Sequence, residues 1–176
     1  AGADAGPFAA ETYGQVTTAA ALQAWIDHAH ARGWVAVDTE TTALNEMTAE
    51  LVGISLAIEP GKACYIPLAH KAASTDDLFG SDALAEGQMS MDTALKMLKP
   101  MLEDTSVLKI GQNMKYDAKI FARYGVHVAP IDDTMLMSYA MNAGIHNHGM
   151  DQLSERYLSH APIEIKSLLG TGKSAI

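Results

Sequence analysis

Apolar residues recur at two periods along this chain, and the switching between them lays out its elements. Thr17 or Thr18 can cap a helix in which Leu22, Trp25, Ile26 and Ala29 follow at helical spacing, up to a stop at Gly33. Trp34 to Asp38 is a short apolar run closing on an acid, which predicts a buried strand. Leu51 to Ile58 and Ala63 to Leu68 predict two more strands, joined by a hairpin turn at Glu59-Pro60-Gly61-Lys62. His70 to Gly87 is polar and predicts an exposed loop with a short turn of helix.

Helical spacing returns with Leu95, Leu98, Met101 and Leu102 behind a cap at Ser90 or Asp92, and Pro100 is placed to bend that helix. Val107 to Ile110 predicts a fourth strand broken by Gly111. Met114 to Tyr124 predicts a helix, and Val126 to Val128 a short edge strand. A helix starting at Asp133 runs to Asn142, and another covers Met150 to Leu158. This order predicts an α/β domain, a mixed β-sheet flanked by helices, over residues 17–176 behind a flexible lead-in at 1–16.

Composition narrows the classes. With 48% hydrophobic and 19% charged residues, 176 residues suffice for one sizeable core and do not read as disordered. No apolar run approaches the roughly 20 residues that span a bilayer, and no secretory segment opens the chain, so no membrane partner is expected. Cys64 is the sole cysteine, which suits a reducing cytoplasm. A net charge of −9 argues against broad phosphate neutralisation on duplex DNA. It leaves room for an enzyme that grips a few nucleotides and meets phosphate with cations held by carboxylates.

Two short segments carry such carboxylates. In Val35-Ala36-Val37-Asp38-Thr39-Glu40, strand alternation sends Asp38 and Glu40 to one face, about 7 Å apart along the backbone. Such a pair repels itself unless a cation intervenes, and oxygen ligands favour Mg²⁺ or Mn²⁺; a solvated strand end is the alternative. In Leu108-Lys109-Ile110-Gly111-Gln112-Asn113-Met114-Lys115-Tyr116-Asp117, a strand runs into a helix with Asp117 in its first turn. The helix dipole favours an acid there whatever its task, and a third carboxylate aimed at Asp38 and Glu40 is the functional alternative.

Taken together, the two segments resemble the DEDD superfamily of 3′→5′ exonucleases, and most closely the proofreading domain of bacterial DNA polymerase I. The likeness continues in order through Leu51-Val52-Gly53-Ile54-Ser55, Tyr65-Ile66-Pro67-Leu68-Ala69-His70, Asp133-Thr134-Met135-Leu136 and Met150-Asp151-Gln152-Leu153. The resemblance implies a ribonuclease H-like fold and two Mg²⁺ or Mn²⁺ ions. Asp38 would bridge both, Glu40 would help hold the ion with the attacking water, and Asp117 would reach the second. It further implies that Thr39, Leu44, Asn113 and Tyr116 lie against the substrate, Leu44 as a wedge at the terminal base. The partners implied are a single-stranded or frayed DNA 3′ end and a polymerase domain of the same parent chain.

The family's third motif, Tyr-x-x-x-Asp, does not follow Asp151: Tyr157 is succeeded by Leu158, Ser159, His160 and Ala161. Truncation ahead of that motif is the expectation, with a fragment nearly inactive as written. A non-catalytic scaffold domain of a polymerase I and a ribonuclease D-like exoribonuclease are the alternatives. Gly170-Thr171-Gly172-Lys173-Ser174 lacks the earlier glycine of a phosphate loop and reads as a loop. His146, His148 and His160 lack the partners or spacing of a zinc site.

Overall fold

Strand-forming and helix-forming segments alternate in the order that places both acidic motifs on one sheet. The structure is a computed structural model and describes residues 13–72 and 84–163. Its strands are β1 (Gly14–Gln15), β2 (Trp34–Thr41), β3 (Leu51–Glu59), β4 (Lys62–Pro67), β5 (Leu108–Gly111) and β6 (Ile131–Asp133). Its helices are α1 (Ala19–Arg32), α2 (Met91–Glu103), α3 (Met114–Arg123), α4 (Thr134–Asn142) and α5 (Met150–Leu158). The strands form one sheet in the order β1-β4-β3-β2-β5-β6. The β2–β3 and β3–β4 pairs are antiparallel, and the β1–β4, β2–β5 and β5–β6 pairs are parallel, so the sheet is mixed.

Alternation along the strands separates two faces. Val35 and Val37 of β2, Ile54, Leu56 and Ile58 of β3, and Cys64 and Ile66 of β4 are buried together. Leu22, Ile26 and Ala29 of α1 and Leu98, Met101 and Leu102 of α2 join the same core. Thr18 caps α1, its side chain accepting from the Ala21 N–H at 3.2 Å, and Ser90 caps α2 through the Thr93 N–H. Asp92, the other candidate cap, instead pairs with Lys96 at 2.7 Å.

The chain divides into two compact units, Ala1–Thr134 and Met135–Ile176. The sheet belongs to the first. In the second, the Ser138 hydroxyl and His148 Nδ1 lie 2.8 Å apart, and Asn142 Nδ2 donates to the Tyr157 hydroxyl at 3.1 Å. The short helix expected between His70 and Gly87, and the Gly170–Ser174 segment, fall on residues outside those described. Lys71 and Leu84 form an isolated antiparallel bridge. Among the described residues no helix is long and apolar enough to cross a membrane.

Three expectations shift. The sheet begins before Thr17, because Gly14 and Gln15 pair with Cys64 and Tyr65, and Val16 is buried. Two residues carry too little pattern for a periodicity argument to detect. The edge strand is β6, not Val126–Val128. Val126 N–H closes the end of α3 on the Phe121 carbonyl, and Ala129 N–H goes to the Leu102 carbonyl. With those donors engaged elsewhere, pairing to β5 starts only at Pro130, whose carbonyl accepts the Lys109 N–H at 3.0 Å. Asp133 consequently ends β6, and α4 starts at Thr134.

A fully buried lysine ties these parts together. Lys109 Nζ donates to the carbonyls of Asp104 (2.8 Å), Val107 (2.6 Å) and Ala129 (2.5 Å). Three short bonds use all three ammonium protons, which replaces the lost hydration shell. Burial still pushes the Lys109 pKa down, against the opposing charge of Asp104. A lysine buried in this way joins the end of α2, β5 and the approach to β6. Lys109→Met fits the volume but leaves those carbonyls without their donor. It is expected to cost about 3 kcal/mol, seen as a lower urea midpoint.

Candidate active site

Strand β2 runs past Asp38 to Thr41, so Asp38 and Glu40 stand within it and not at its end. The strand is central: Asp38 and Glu40 are paired with Ser55 and Gly53 of β3, while Ala36 is paired with Ile110 of β5. The pairing is irregular between Glu40 and Thr41, where the chain turns toward Leu44. Both acids lie on the half-open face, opposite the Val35–Val37 core side.

Asp117 reaches the same strand from α3. It is buried, and its Oδ1 accepts from the Thr39 N–H at 3.0 Å and from the Thr39 hydroxyl at 2.5 Å. The start of α3 is fixed by Asp133, whose Oδ1 accepts from the Asn113 N–H at 3.1 Å and whose Oδ2 accepts from the Met114 N–H at 2.9 Å. Asp133 therefore caps α3, whereas sequence reading gives it to the helix that follows it. Asn113 takes the left-handed backbone (φ 59°), a conformation asparagine tolerates, and makes no side-chain cap of its own. Gly111 keeps the turn into α3 close to β2: a Cβ there would lie 2.9 Å from the Val37 carbonyl oxygen.

Three of the four substrate candidates, Thr39, Leu44 and Tyr116, line one cleft of about 390 Å³ together with Glu40, Thr41, Thr42 and Ala43, and Asn113 is not part of its lining. The Tyr116 hydroxyl donates to the Ala43 carbonyl at 2.6 Å and lies 2.5 Å from the Thr41 hydroxyl. This fixes the turn that carries Leu44, whose side chain is 95% exposed. Thr39 lines the cleft, but its hydroxyl and N–H both serve Asp117.

Electrostatically the negative charge converges on Asp38. Asp38 is pushed up to about 6, by burial first and then by the charges of Asp117 and Glu40. Asp117 is also raised, again chiefly by burial, with the Thr39 bonds opposing. No lysine or arginine pairs with any of the three among the described residues. Nor do any three His, Cys, Asp or Glu side chains there form a ready cage for an ion. Asp117 is held at Thr39, the residue between Asp38 and Glu40. The donor set, all carboxylate oxygen with an uncompensated negative surplus, nevertheless fits a hard divalent cation.

Residues 13–175 match the family model described as 3′-5′ exonuclease. The chain belongs to that family. DNA polymerase I of Rhizobium leguminosarum is 46% identical over 179 residues, which cover 97% of this chain and 17% of that protein. The chain thus spans about a sixth of the length of this curated relative. Among solved structures, Escherichia coli RNase D, an exoribonuclease, superposes with a TM-score of 0.62 at 20% identity, over 88% of this chain and 36% of that one. Brucella melitensis NrnC with bound Mg²⁺ gives 0.59 at 19% identity, over 86% of this chain and 63% of that one. Both structural likenesses concern the fold, which is ribonuclease H-like as the motif order implies.

The raised Asp38 gives this exonuclease domain a definite pH signature. A carboxyl whose pKa is higher folded than unfolded contributes stability below about pH 4, and that contribution is lost as pH rises through about 6. Asp38→Asn removes the charge. In chelator it should therefore stabilise the domain by about 1–2 kcal/mol at pH 8, allowing for solvent screening, and have no effect near pH 4. Urea unfolding of both proteins at the two pH values measures the difference.

Proposed function

We propose that this domain removes nucleotides from DNA 3′ ends as the proofreading part of a polymerase I, with Asp38, Glu40 and Asp117 holding two Mg²⁺ or Mn²⁺ ions. The observation that carries the reading is the crowding of negative charge at Asp38: Glu40 of the same strand and Asp117 of α3 both raise its pKa, and among the described residues no lysine or arginine pairs with the three. Divalent cations, when bound, would neutralise that surplus and stabilise the attacking and leaving oxygens of an in-line displacement at phosphorus.

The remaining work falls to the chain. Leu44, exposed on a turn pinned by Tyr116, would wedge against the terminal base. Asn113, in a left-handed conformation at the start of α3, would meet the strand end. The cleft of about 390 Å³ lies within the range of roughly 300–1,000 Å³ usual for small-ligand sites. Water adds to the terminal phosphorus and the bond to the preceding 3′ oxygen breaks. This releases a deoxynucleoside 5′-monophosphate and leaves a new 3′ hydroxyl.

The acidic balance of −9 suits a domain that handles a few frayed nucleotides and leaves duplex grip to a polymerase domain of the same parent chain, in the cytoplasm. These 176 residues supply no Tyr-x-x-x-Asp after Asp151, so their own turnover is expected to be slow.

Mn²⁺ titration of this chain, followed by hydrolysis assays in the polymerase I that carries it, tests the reading. Asp38→Ala should abolish the Mn²⁺ binding and lower the hydrolysis rate on a single-stranded DNA oligonucleotide by about a thousandfold or more. Equal rates on DNA and RNA oligonucleotides would instead favour a ribonuclease D-like enzyme, and unchanged Mn²⁺ binding in Asp38→Ala would leave only a scaffold.

A further inference from the structure

On the β3–β4 side of β2 stands a pair of side chains that the exonuclease reading leaves unused, Tyr65 and His70. Asp38, Ser55 and Tyr65 are in register across β2, β3 and β4, and one step along the sheet so are Glu40, Gly53 and Pro67. Residues in register share a face, so Tyr65 rises on the face of the acids. Its ring leans over Gly53. A Cβ on Gly53 would come within 2.0 Å of the Tyr65 hydroxyl oxygen and 2.3 Å of the ring carbon that bears it. The hydroxyl therefore sits above the residue paired with Glu40, and only a glycine permits it.

This hydroxyl is a fixed point. It lies 2.6 Å from His70 Nε2, with the two rings edge to face at 5.5 Å. His70 is fixed in turn by its backbone. Its N–H donates to Gln88 Oε1 at 2.8 Å, and its carbonyl accepts from Gln88 Nε2 at 2.9 Å and the Ala85 N–H at 2.8 Å. Glu40 is the opposite case: exposed and long, with no hydrogen-bond donor on its carboxylate among the described residues. Burial, and after it the Glu40 charge, push the Tyr65 pKa up to about 12, so the phenol keeps its proton. A protonated hydroxyl beside an unsatisfied carboxylate is a hydrogen-bond donor in waiting.

We propose that Tyr65, braced by His70, is a positioning residue for Glu40, its hydroxyl donating to the carboxylate and fixing its direction when cation and nucleotide occupy the site. The His70 Nε2–H then donates to the Tyr65 oxygen, which leaves the phenolic proton for Glu40. The inference rests on Glu40 acting in the exonuclease site. Its chemistry is distinct from the tyrosine of the family's third motif, since Tyr65 acts through a carboxylate and comes from the sheet.

Tyr65→Phe keeps the ring over Gly53 and removes the donor. It is to be compared with wild type, His70→Phe, the double variant and Asp38→Ala, in the polymerase I that carries the domain. The readouts are Mn²⁺ affinity by calorimetry, kcat and KM on a single-stranded DNA oligonucleotide, and Tm in chelator. Loss of one bond to a charged group predicts Mn²⁺ affinity and kcat each lowered roughly tenfold in Tyr65→Phe, with KM and Tm nearly unchanged. The double variant should lose no more than the larger single loss, because both side chains act through one bond. Unchanged kcat and Mn²⁺ affinity in Tyr65→Phe, with binding abolished in Asp38→Ala, overturns the positioning role alone. A collapsed Tm with kcat restored at low temperature overturns it in favour of packing. Wild-type Mn²⁺ binding that survives Asp38→Ala overturns both this role and the exonuclease assignment of the acids.

Discussion

The site is organised by one contact: the carboxylate of Asp117 accepts both the backbone N–H and the hydroxyl of Thr39. Thr39 is the residue between Asp38 and Glu40, so this contact sets where α3 meets β2. It also offsets part of the cost of burying Asp117, whose pKa burial raises and the Thr39 bonds lower. Without those bonds, a buried acid beside Asp38 would have only its own protonation as relief. The surrounding fold can be understood as what keeps this contact in register. Asp133 fixes the first turn of α3 from β6, and Lys109 fixes β5, to which β6 pairs, against the end of α2. Two charged side chains outside the acidic set of Asp38, Glu40 and Asp117 thereby determine where Asp117 lies.

The same arrangement explains why the negative charge is left unrelieved. Basic residues near the site are occupied elsewhere: Lys119 pairs with Glu46 at 2.6 Å, and Arg123 donates to the Glu46 and Ala49 carbonyls. They hold the far end of the turn that carries Leu44, so their charge supports the wall of the cleft and not its acids. A lysine bonded to Asp38 would stabilise the fold and compete with any cation. A site meant to take up metal gains affinity from the strain it bears without it.

Much of this was legible in the sequence, for identifiable reasons. Long periodic segments, such as Leu22 to Ala29 and Leu95 to Leu102, declared their type because burial of one face repeats at a fixed interval. The acids were legible because an Asp and a Glu two residues apart, after Val35-Ala36-Val37, break the apolar pattern where it is strongest. What failed was local and short. β1 has two residues, and β6 has three with Asp132 and Asp133 in them, so neither gives a period. Val126 and Val128 look like a strand by alternation, yet their burial serves the ends of α2 and α3. Which helix Asp133 would cap could not be read either, since a cap donated across space leaves no mark in the spacing of its own segment.

Glycine was the signal that sequence reading undervalued. Gly53 lies inside a strand and Gly111 at a strand's end, positions where glycine weakens pairing and an ordinary sheet gains from a side chain. Each turns out to make room for something that shapes the site. At Gly111 the room lets the turn into α3 pass close to the Val37 carbonyl, and at Gly53 it admits the Tyr65 ring. A missing side chain inside an otherwise well-formed strand is thus a statement about its neighbour. Here the two neighbours flank β2 on opposite sides, one bringing Asp117 to Thr39 and the other bringing a phenol toward Glu40. On the proposed reading the acidic motif supplies the cation ligands, and the glycines on either side state how closely the rest of the fold must approach them.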